Sequence, residues 1–319
     1  MSLENVLPGV LAPVLTPFKR NLAPDTDLFV RFCRWLHAQS VGLAIFGTNS
    51  EANSMSVAER SDLLAAVIAG GVPARALIPG TGTCAIPDSV RLSAEAAKAG
   101  CAGVLMLPPF YYKPVSEEGL FAAYSEVVER VGDPGLKILL YHIPQLSGVP
   151  IPTGLIEKLI KRYPSVFIGI KDSSGDFATT KGMIERFPGF KVYCGSERFL
   201  LATMRAGGAG CISATANVNP AAIARLQRGS REENADQQQA ALANIRTVFE
   251  AYPTIAALKT AAARFGEAES FAAVRPPLTR LTRDQADALI GSLAAKNFDM
   301  PGLAETFHAE STVEQALAR

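Results

Sequence analysis

The stretch VFIGIKDSS, at residues 166–174, is an apolar run that leads into a lysine and an aspartate. Its apolar side chains follow one another without polar alternation, which is typical of a parallel β-strand buried on both faces. Seven other stretches of this kind occur in the first two-thirds of the chain. The eight predicted strands begin at Val10, Val41, Arg75, Ala102, Leu136, Val166, Phe190 and Ala209.

The segments between these strands have the periodicity and start signals of helices. Ser56 and Glu59 form a predicted capping box, and Asp88 is a predicted N-cap. Strand starts lie about 19 to 34 residues apart, which is room for a strand, a helix and two short loops. Eight such units predict an α/β fold, a (β/α)₈ TIM barrel. The alternative is an open doubly wound sheet, but no G-x-G-x-x-G turn follows the first strand.

Beyond about residue 221 the strand signal stops and helical patterns continue, including a second capping box at Thr282 and Gln285. We therefore predict a barrel catalytic domain at residues 1–223 and a C-terminal helical extension at residues 224–319. The residues beyond Pro301 are polar and weakly patterned, which predicts a mobile or interface-binding tail.

The composition and charge of the chain disfavour several classes of protein. The chain has 319 residues, 48% of them hydrophobic, and a net charge of +1, which favours a globular enzyme over a protein that binds nucleic acid or membranes. No apolar run approaches the roughly 18 residues that span a bilayer, and the start lacks a signal-peptide pattern, so a cytoplasmic location is expected. The cysteines and histidines lack zinc-ligand spacing, which disfavours a metal site, although carboxylates alone could still bind magnesium.

Lys171 is the first candidate catalytic residue. In a barrel of this type the active site lies at the carboxyl ends of the strands, and Lys171 ends its strand, whereas Lys137 and Lys191 lie at the opposite ends of theirs. An ammonium cannot attack a ketone, and an apolar barrel mouth favours the neutral amine that can. Lys171 is therefore a candidate Schiff-base lysine. The alternative is a lysine that points to solvent or is ion-paired, for example with Asp172.

Tyr141 ends the strand before Lys171, and its phenol could both donate and accept protons beside the amine. Alternatively, it is an interior tyrosine bonded to the backbone. The turn GTNSE, at residues 47–51, offers hydroxyls, an amide and backbone N–H groups that could hold a carboxylate, although such clusters are also ordinary turn chemistry. Tyr111 belongs to an aromatic loop of the kind that is usually packed.

Together these motifs resemble the dihydrodipicolinate synthase and N-acetylneuraminate lyase family of class I aldolases. The resemblance runs from about residue 9 to about residue 296. Its markers are LTPF at Leu15, GTNSE at Gly47, PPFYYKP at Pro108, YHIPQLSG at Tyr141, GIKDSSGD at Gly169 and ISATANV at Ile212.

The resemblance implies roles for particular residues. Lys171 would be the Schiff-base lysine and Tyr141 the proton shuttle, with Thr48 linking Tyr141 to Tyr111 of a neighbouring subunit. It also implies a homotetramer built from tight dimers, pyruvate and an aldehyde as substrates, and neither a metal nor an organic cofactor. The expected substrate-binding residues are Thr48, Asn49, Ser173, Gly195, Glu197, Arg198, Ser213 and Leu146.

Several positions depart from the family pattern. Asn49 replaces a threonine that helps to hold the pyruvate carboxylate. Leu146 stands where dihydrodipicolinate synthases have an arginine that binds the carboxylate of aspartate semialdehyde. Arg198 stands where the neuraminate lyases have an acidic residue, and Ala214 replaces their serine. Arg198 could reach an acid group of the aldehyde, or it could pair with Glu197 at the surface.

The leading hypothesis is a pyruvate-dependent aldolase or lyase, similar to N-acetylneuraminate lyase, that acts on a 4-hydroxy-2-oxo acid or a 2-oxo-3-deoxy sugar acid. One alternative is a dehydratase that uses the same iminium. A second is 4-hydroxy-tetrahydrodipicolinate (dihydrodipicolinate) synthase, which Leu146 disfavours. A third is a non-catalytic barrel that senses a 2-oxo acid.

Overall fold

The computed structural model describes residues 7–309, which contain seven parallel β-strands. The strands are β1 (Val10–Ala12), β2 (Gly42–Leu43), β3 (Val104–Met106), β4 (Ile138–His142), β5 (Phe167–Asp172), β6 (Lys191–Cys194) and β7 (Gly210–Ile212). Their order in the sheet is β2-β1-β7-β6-β5-β4-β3, so β2 and β3 are the two edge strands. The ring of strands is complete except for the gap between these two. Seven of the eight predicted strands are therefore confirmed.

The third predicted strand, at residues 75–82, closes the ring without being a regular strand. Parallel bridges pair Leu77 with Leu43 of β2 and Gly80 with Leu105 of β3. Pro79 accepts a hydrogen bond from the Leu105 N–H at 2.8 Å but has no N–H of its own, which interrupts the ladder. The segment thus completes an eight-membered barrel, and the predicted fold is confirmed.

Thirteen α-helices lie in the described residues, and none of them is long and apolar enough to cross a membrane. They are α1 (Thr26–Ala38), α2 (Val57–Ala69), α3 (Ile86–Lys98), α4 (Glu117–Val131), α5 (Pro144–Ser147), α6 (Thr153–Arg162), α7 (Phe177–Arg186), α8 (Leu200–Arg205), α9 (Pro220–Arg228), α10 (Ala235–Glu250), α11 (Thr254–Phe265), α12 (Arg283–Ala294) and α13 (Leu303–His308).

The predicted helix starts are mostly correct. The capping boxes at the starts of α2 and α12 are both present, with each side chain bonding the backbone of the other residue. The N-cap predicted at Asp88 is wrong, because α3 begins two residues earlier, at Ile86, and Asp88 lies within its first turn. Pro87 suits that first turn, where its missing N–H is not needed.

The interior of the barrel is a separate apolar cluster formed by residues of β1, β3, β4, β6 and β7, the closing segment and the residue after β2. Its buried members are Leu11, Ala44, Ile78, Leu105, Leu139, Tyr141, Tyr193 and Ile212. A larger core fills the space between the strands and the helices. Side chains alternate along a strand, so membership of the inner cluster shows that Tyr141 points into the barrel.

The chain passes from barrel to extension within a helix. α9 follows β7 and runs across residue 223, so the predicted boundary falls inside a helix rather than in a linker. The division into two domains stays a prediction.

The first part of the predicted tail is packed against α1. Trp35 donates its indole N–H to the Pro301 carbonyl at 3.0 Å, and the rings of Phe307 and Phe32 meet edge to face, with centroids 6.1 Å apart. The weak pattern is therefore misleading for this part, which forms α13. Residues 310–319 lie outside the described residues.

A buried ion pair connects the barrel to the extension. Lys259 of α11 donates to the Glu51 carboxylate and, at 2.6 Å, to the Ala273 carbonyl, and both charged side chains are fully buried. The other carboxylate oxygen of Glu51 accepts from the Arg275 backbone N–H at 2.8 Å. Burial lowers the pKa of Lys259 to about 8, although the nearby Glu51 carboxylate opposes that shift. Glu51 thereby holds the turn that carries Thr48 against the C-terminal helices.

We expect Lys259→Met to lower the free energy of unfolding by about 3–5 kcal/mol, because it leaves Glu51 as a buried charge without its cation. The double variant Glu51→Gln with Lys259→Met should recover much of that loss, since no charge remains buried. Urea unfolding followed by circular dichroism measures both. Lys158→Met, which removes an exposed ion pair with Glu117, is the control and should change little. Equal losses in Lys259→Met and the control would contradict the prediction.

Candidate functional site

A cavity of about 650 Å³ opens at the carboxyl ends of the strands. Residues that end or directly follow β4, β5, β6 and β7 line it, together with residues from α10 and the start of α11. This size is ordinary for a small-molecule site, and this end of the barrel is where such sites lie.

Lys171 lies deep in this cavity beside Tyr141. The two residues are paired in the register of β4 and β5, and each is only 3% exposed. The Lys171 Nζ is 4.2 Å from the centroid of the Tyr141 ring. The alternative of an ion pair with Asp172 is wrong: among the described residues, that carboxylate instead accepts hydrogen bonds from the Thr180 hydroxyl at 2.6 Å and the Ser174 N–H at 2.9 Å.

Thr48 reaches the other side of Tyr141. Its Oγ1 is 3.1 Å from the Tyr141 Oη, a hydrogen-bond distance at which either atom can donate. Ser50 fixes this turn by donating to the Val14 carbonyl at 2.5 Å and accepting from the Gly47 N–H at 3.2 Å. The Tyr141 ring is thus in contact with a buried amine, and its hydroxyl can exchange a hydrogen-bond proton with Thr48.

Asn49, Ser173 and Gly195, which are expected substrate-binding residues, line the same cavity. Gly195 allows the loop after β6 to approach the loop after β5. A Cβ at this position would lie 2.3 Å from the Ser173 Oγ and 2.9 Å from the Asp172 carbonyl oxygen, so larger residues would clash there. The Gly195 N–H donates to the Asp172 carbonyl at 2.6 Å, which holds the two loops together beside the cavity.

Glu197 and Ser213 are not among the residues that line the cavity. The Glu197 carboxylate is buried beside it and accepts hydrogen bonds from the hydroxyls of Ser213 and Thr215. Its ion-pair partner is Arg246 of α10, with Nη1 at 2.6 Å from Oε2. The alternative of a surface pair between Glu197 and Arg198 is therefore wrong.

Arg198 pairs instead with Glu250 at the end of α10. The Arg198 Nη2 lies 2.5 Å from the Glu250 Oε2, and the Arg246 Nε lies 2.6 Å from the Glu250 Oε1. Arg198, Arg246 and Glu250 all line the cavity, and we refer to them with Glu197 as the ion cluster. Sequence reasoning missed Arg246 and Glu250, because their only local signal is the i,i+4 spacing of an ordinary exposed helix pair.

Leu146 and Tyr111 are the two exposed members of the predicted site. Leu146 lies in α5, lines the cavity and is 66% exposed, so an apolar side chain stands at the mouth. Tyr111 is 75% exposed, does not line the cavity and has its ring against Tyr112. The predicted link between Tyr111 and Thr48 is not formed within one chain, and its formation between subunits stays a prediction.

A parallel (β/α)₈ barrel whose buried lysine and tyrosine lie side by side at the carboxyl ends of the strands is the architecture of a carbon–carbon lyase of the class I aldolase type. Residues 6–296 match the model of the dihydrodipicolinate synthetase family. The chain belongs to that family, and it is an enzyme.

Individual relatives agree with this assignment. The chain is 32% identical to an uncharacterized DapA-like lyase of Chloroflexus aurantiacus over 285 residues, which are 88% of this chain and 94% of that protein. The dihydrodipicolinate synthase of Agrobacterium tumefaciens has a similar structure, with a TM-score of 0.83, 28% identity, and 90% and 99% of the two chains covered. YagE of Escherichia coli K12, solved in complex with pyruvate, gives a TM-score of 0.80 at 25% identity, with 91% and 98% covered.

We expect the two arginines of the ion cluster to differ in their contribution to stability. Arg246→Met should lower the free energy of unfolding by about 3–5 kcal/mol, because it leaves the buried Glu197 carboxylate without its cation. Arg198→Met should cost much less, because Arg198 and Glu250 are both more than a third exposed. Urea unfolding of the two variants measures the difference, and similar losses in both would show that Glu197 does not depend on Arg246.

Proposed function

We propose that this enzyme forms a Schiff base between Lys171 and pyruvate and makes or breaks a carbon–carbon bond in a 4-hydroxy-2-oxo acid or a 2-oxo-3-deoxy sugar acid. The observation that carries the proposal is the buried Lys171 amine, which contacts the Tyr141 ring and has no carboxylate partner in the described part of the chain. An amine at the carboxyl ends of the strands is placed to attack the ketone of a 2-oxo acid bound in the cavity.

In this mechanism the Lys171 amine adds to the ketone carbon of pyruvate. The ketone oxygen leaves as water, carrying one proton from the amine and one supplied through Tyr141, and an iminium remains. Tyr141, left as a phenolate, takes up a methyl proton to give the enamine, which attacks the aldehyde carbon while the aldehyde oxygen takes that proton from Tyr141. Water then hydrolyses the iminium, which releases the product and returns a proton to Tyr141, and cleavage follows the same steps in reverse.

The surrounding groups support these steps. Thr48, within hydrogen-bond distance of Tyr141, can accept a proton from the phenol or return one. The side chains of Asn49 and Ser173 can donate hydrogen bonds to the pyruvate carboxylate from the cavity wall. The relative YagE was solved with pyruvate, which is consistent with pyruvate as the ketone.

The alternative product is the one made by dihydrodipicolinate synthase, the enzyme that the Agrobacterium relative is. Leu146 argues against it, because a leucine at the mouth cannot bind a second carboxylate as an arginine would. A dehydratase would share the same iminium and would differ in which bond breaks next. The homotetramer, the cytoplasmic location and the absence of a cofactor stay predictions.

We expect incubation with pyruvate and sodium borohydride to inactivate the enzyme and to add a reduced pyruvyl group to Lys171, because reduction converts the iminium into a stable secondary amine. Peptide mass spectrometry locates the label. Lys171→Arg should take no label and have no turnover, since a guanidinium stays charged. Lys137→Arg, at the opposite end of the barrel, is the matched control and should be labelled like the wild type. A label on another lysine would refute the Schiff-base assignment.

We expect Tyr111→Phe to lower turnover while pyruvate can still be trapped on Lys171, because the tyrosine would move protons without forming the covalent bond. Mixing Tyr111→Phe chains with Lys171→Ala chains should restore some activity if Tyr111 acts across a subunit interface. Turnover after subunit exchange is the measurement. Hybrids that regain no activity would mean that Tyr111 serves its own subunit or has no catalytic role.

A further inference from the structure

We propose that Glu250, held between Arg198 and Arg246, is the specificity-determining residue that selects a neutral, polyhydroxylated aldehyde as the second substrate. This inference rests on the proposed function, because it concerns the aldehyde that the Lys171 enamine would attack. Glu250 and Arg246 belong to α10, far in sequence from the strand ends that carry Lys171 and Tyr141.

The geometry makes Glu250 the common partner of two cations. Its Oε1 accepts from the Arg246 Nε at 2.6 Å, and its Oε2 accepts from the Arg198 Nη2 at 2.5 Å and the Arg198 Nε at 3.1 Å. The Arg246 Nη1 also donates to the buried Glu197 carboxylate and, at 2.9 Å, to the Ser213 hydroxyl, and these bonds fix the arginine beside Glu250. The three hydrogen bonds to Glu250 leave about one of the four lone-pair sites of its carboxylate for a ligand, and 38% of the side chain is exposed.

The charges of the ion cluster cancel. It contains the two arginines Arg198 and Arg246 and the two carboxylates Glu197 and Glu250. Burial raises the pKa of Glu250, but hydrogen bonds from Arg198 and Arg246 outweigh it, so the pKa lies below its ordinary value and the group is ionised at neutral pH. An aldehyde with a carboxylate would therefore meet no uncompensated cation and would be repelled by Glu250 unless it displaced that residue.

A hydroxyl group fits the same arrangement. It can donate to the Glu250 carboxylate and accept from a guanidinium N–H at once, which a carboxylate or an apolar group cannot do. Ser196, Thr254 and Thr279 line the cavity too and add further groups that both donate and accept. Leu146 at the mouth adds no charge. The cavity thus has a lysine end that suits the 2-oxo acid and a charge-balanced end that suits several neighbouring hydroxyls.

The test is the aldehyde preference of Glu250→Gln, which keeps the shape of the side chain but removes its charge. Steady-state kcat/KM is measured with pyruvate and three aldehydes: D-erythrose, which is neutral and polyhydroxylated; aspartate semialdehyde, which is anionic; and propanal, which has neither group. We expect the erythrose to aspartate semialdehyde ratio of kcat/KM to fall about 10- to 100-fold in the variant, because a charge-assisted hydrogen bond is lost and an arginine becomes uncompensated.

Two controls separate this selection from a structural effect. Propanal should react equally well in Glu250→Gln and the wild type, since it makes no bond to the ion cluster. Glu126→Gln, which removes an exposed i,i+4 ion pair with Arg130, should leave all three values unchanged. An unchanged ratio in Glu250→Gln, an equal loss with propanal, or a wild type that prefers aspartate semialdehyde would overturn the inference.

Borohydride trapping distinguishes failure of the proposed role of Glu250 from failure of the proposed function. Wild-type enzyme that takes no pyruvyl label on Lys171, or that labels but turns over none of the three aldehydes, would refute the carbon–carbon chemistry itself. Labelled and active enzyme with an unchanged aldehyde ratio would refute only the role of Glu250.

Discussion

The structure depends on one constraint, which is that parallel strands bonded in a closed ring must bring all their carboxyl ends to one mouth. The register of β4 and β5 sets Tyr141 beside Lys171, and alternation along the strands turns both inward. The segment around Pro79 completes the ring between β2 and β3. That closure brings the turn after β2 close to β4, which is why Thr48 can bond Tyr141.

The two buried lysines of the site and its support, Lys171 and Lys259, differ in their partners. Lys259 is enclosed with the Glu51 carboxylate and a backbone carbonyl, so its ammonium is compensated where water is excluded. Lys171 is almost as buried, and like Lys259 its Nζ lies over an aromatic ring, but it has no carboxylate partner within the described residues. Buried ionisable side chains are usually paired, so a buried lysine without a carboxylate partner is a candidate functional residue. The first lysine supports the turn that carries Thr48, and the second faces the cavity.

The barrel could be predicted from the sequence, because continuous apolar runs and capping residues are local features. Lys171 and Tyr141 could be singled out for the same reason, since each directly ends a strand. The errors also have local causes. The start of α3 was misjudged because a proline in the first turn competes with an aspartate as a start signal. The segment before α13 lacks a strong apolar pattern, yet it is held by contacts with α1 that no local pattern reveals.

The sequence by itself determined the order of strands and helices and the residues that end each strand, because side-chain periodicity and turn chemistry act over a few residues. Only the tertiary structure decided which charged residues of the cavity form ion pairs across long stretches of sequence. Glu197 bonds Arg246, 49 residues away, rather than its neighbour Arg198, and Arg198 bonds Glu250, 52 residues away. Adjacent residues in a loop need not face each other, and the packing of α10 against the loop after β6 brings the distant partners within hydrogen-bond range. The charge balance of the cavity is therefore a property of the packed helices, which no single stretch of sequence contains.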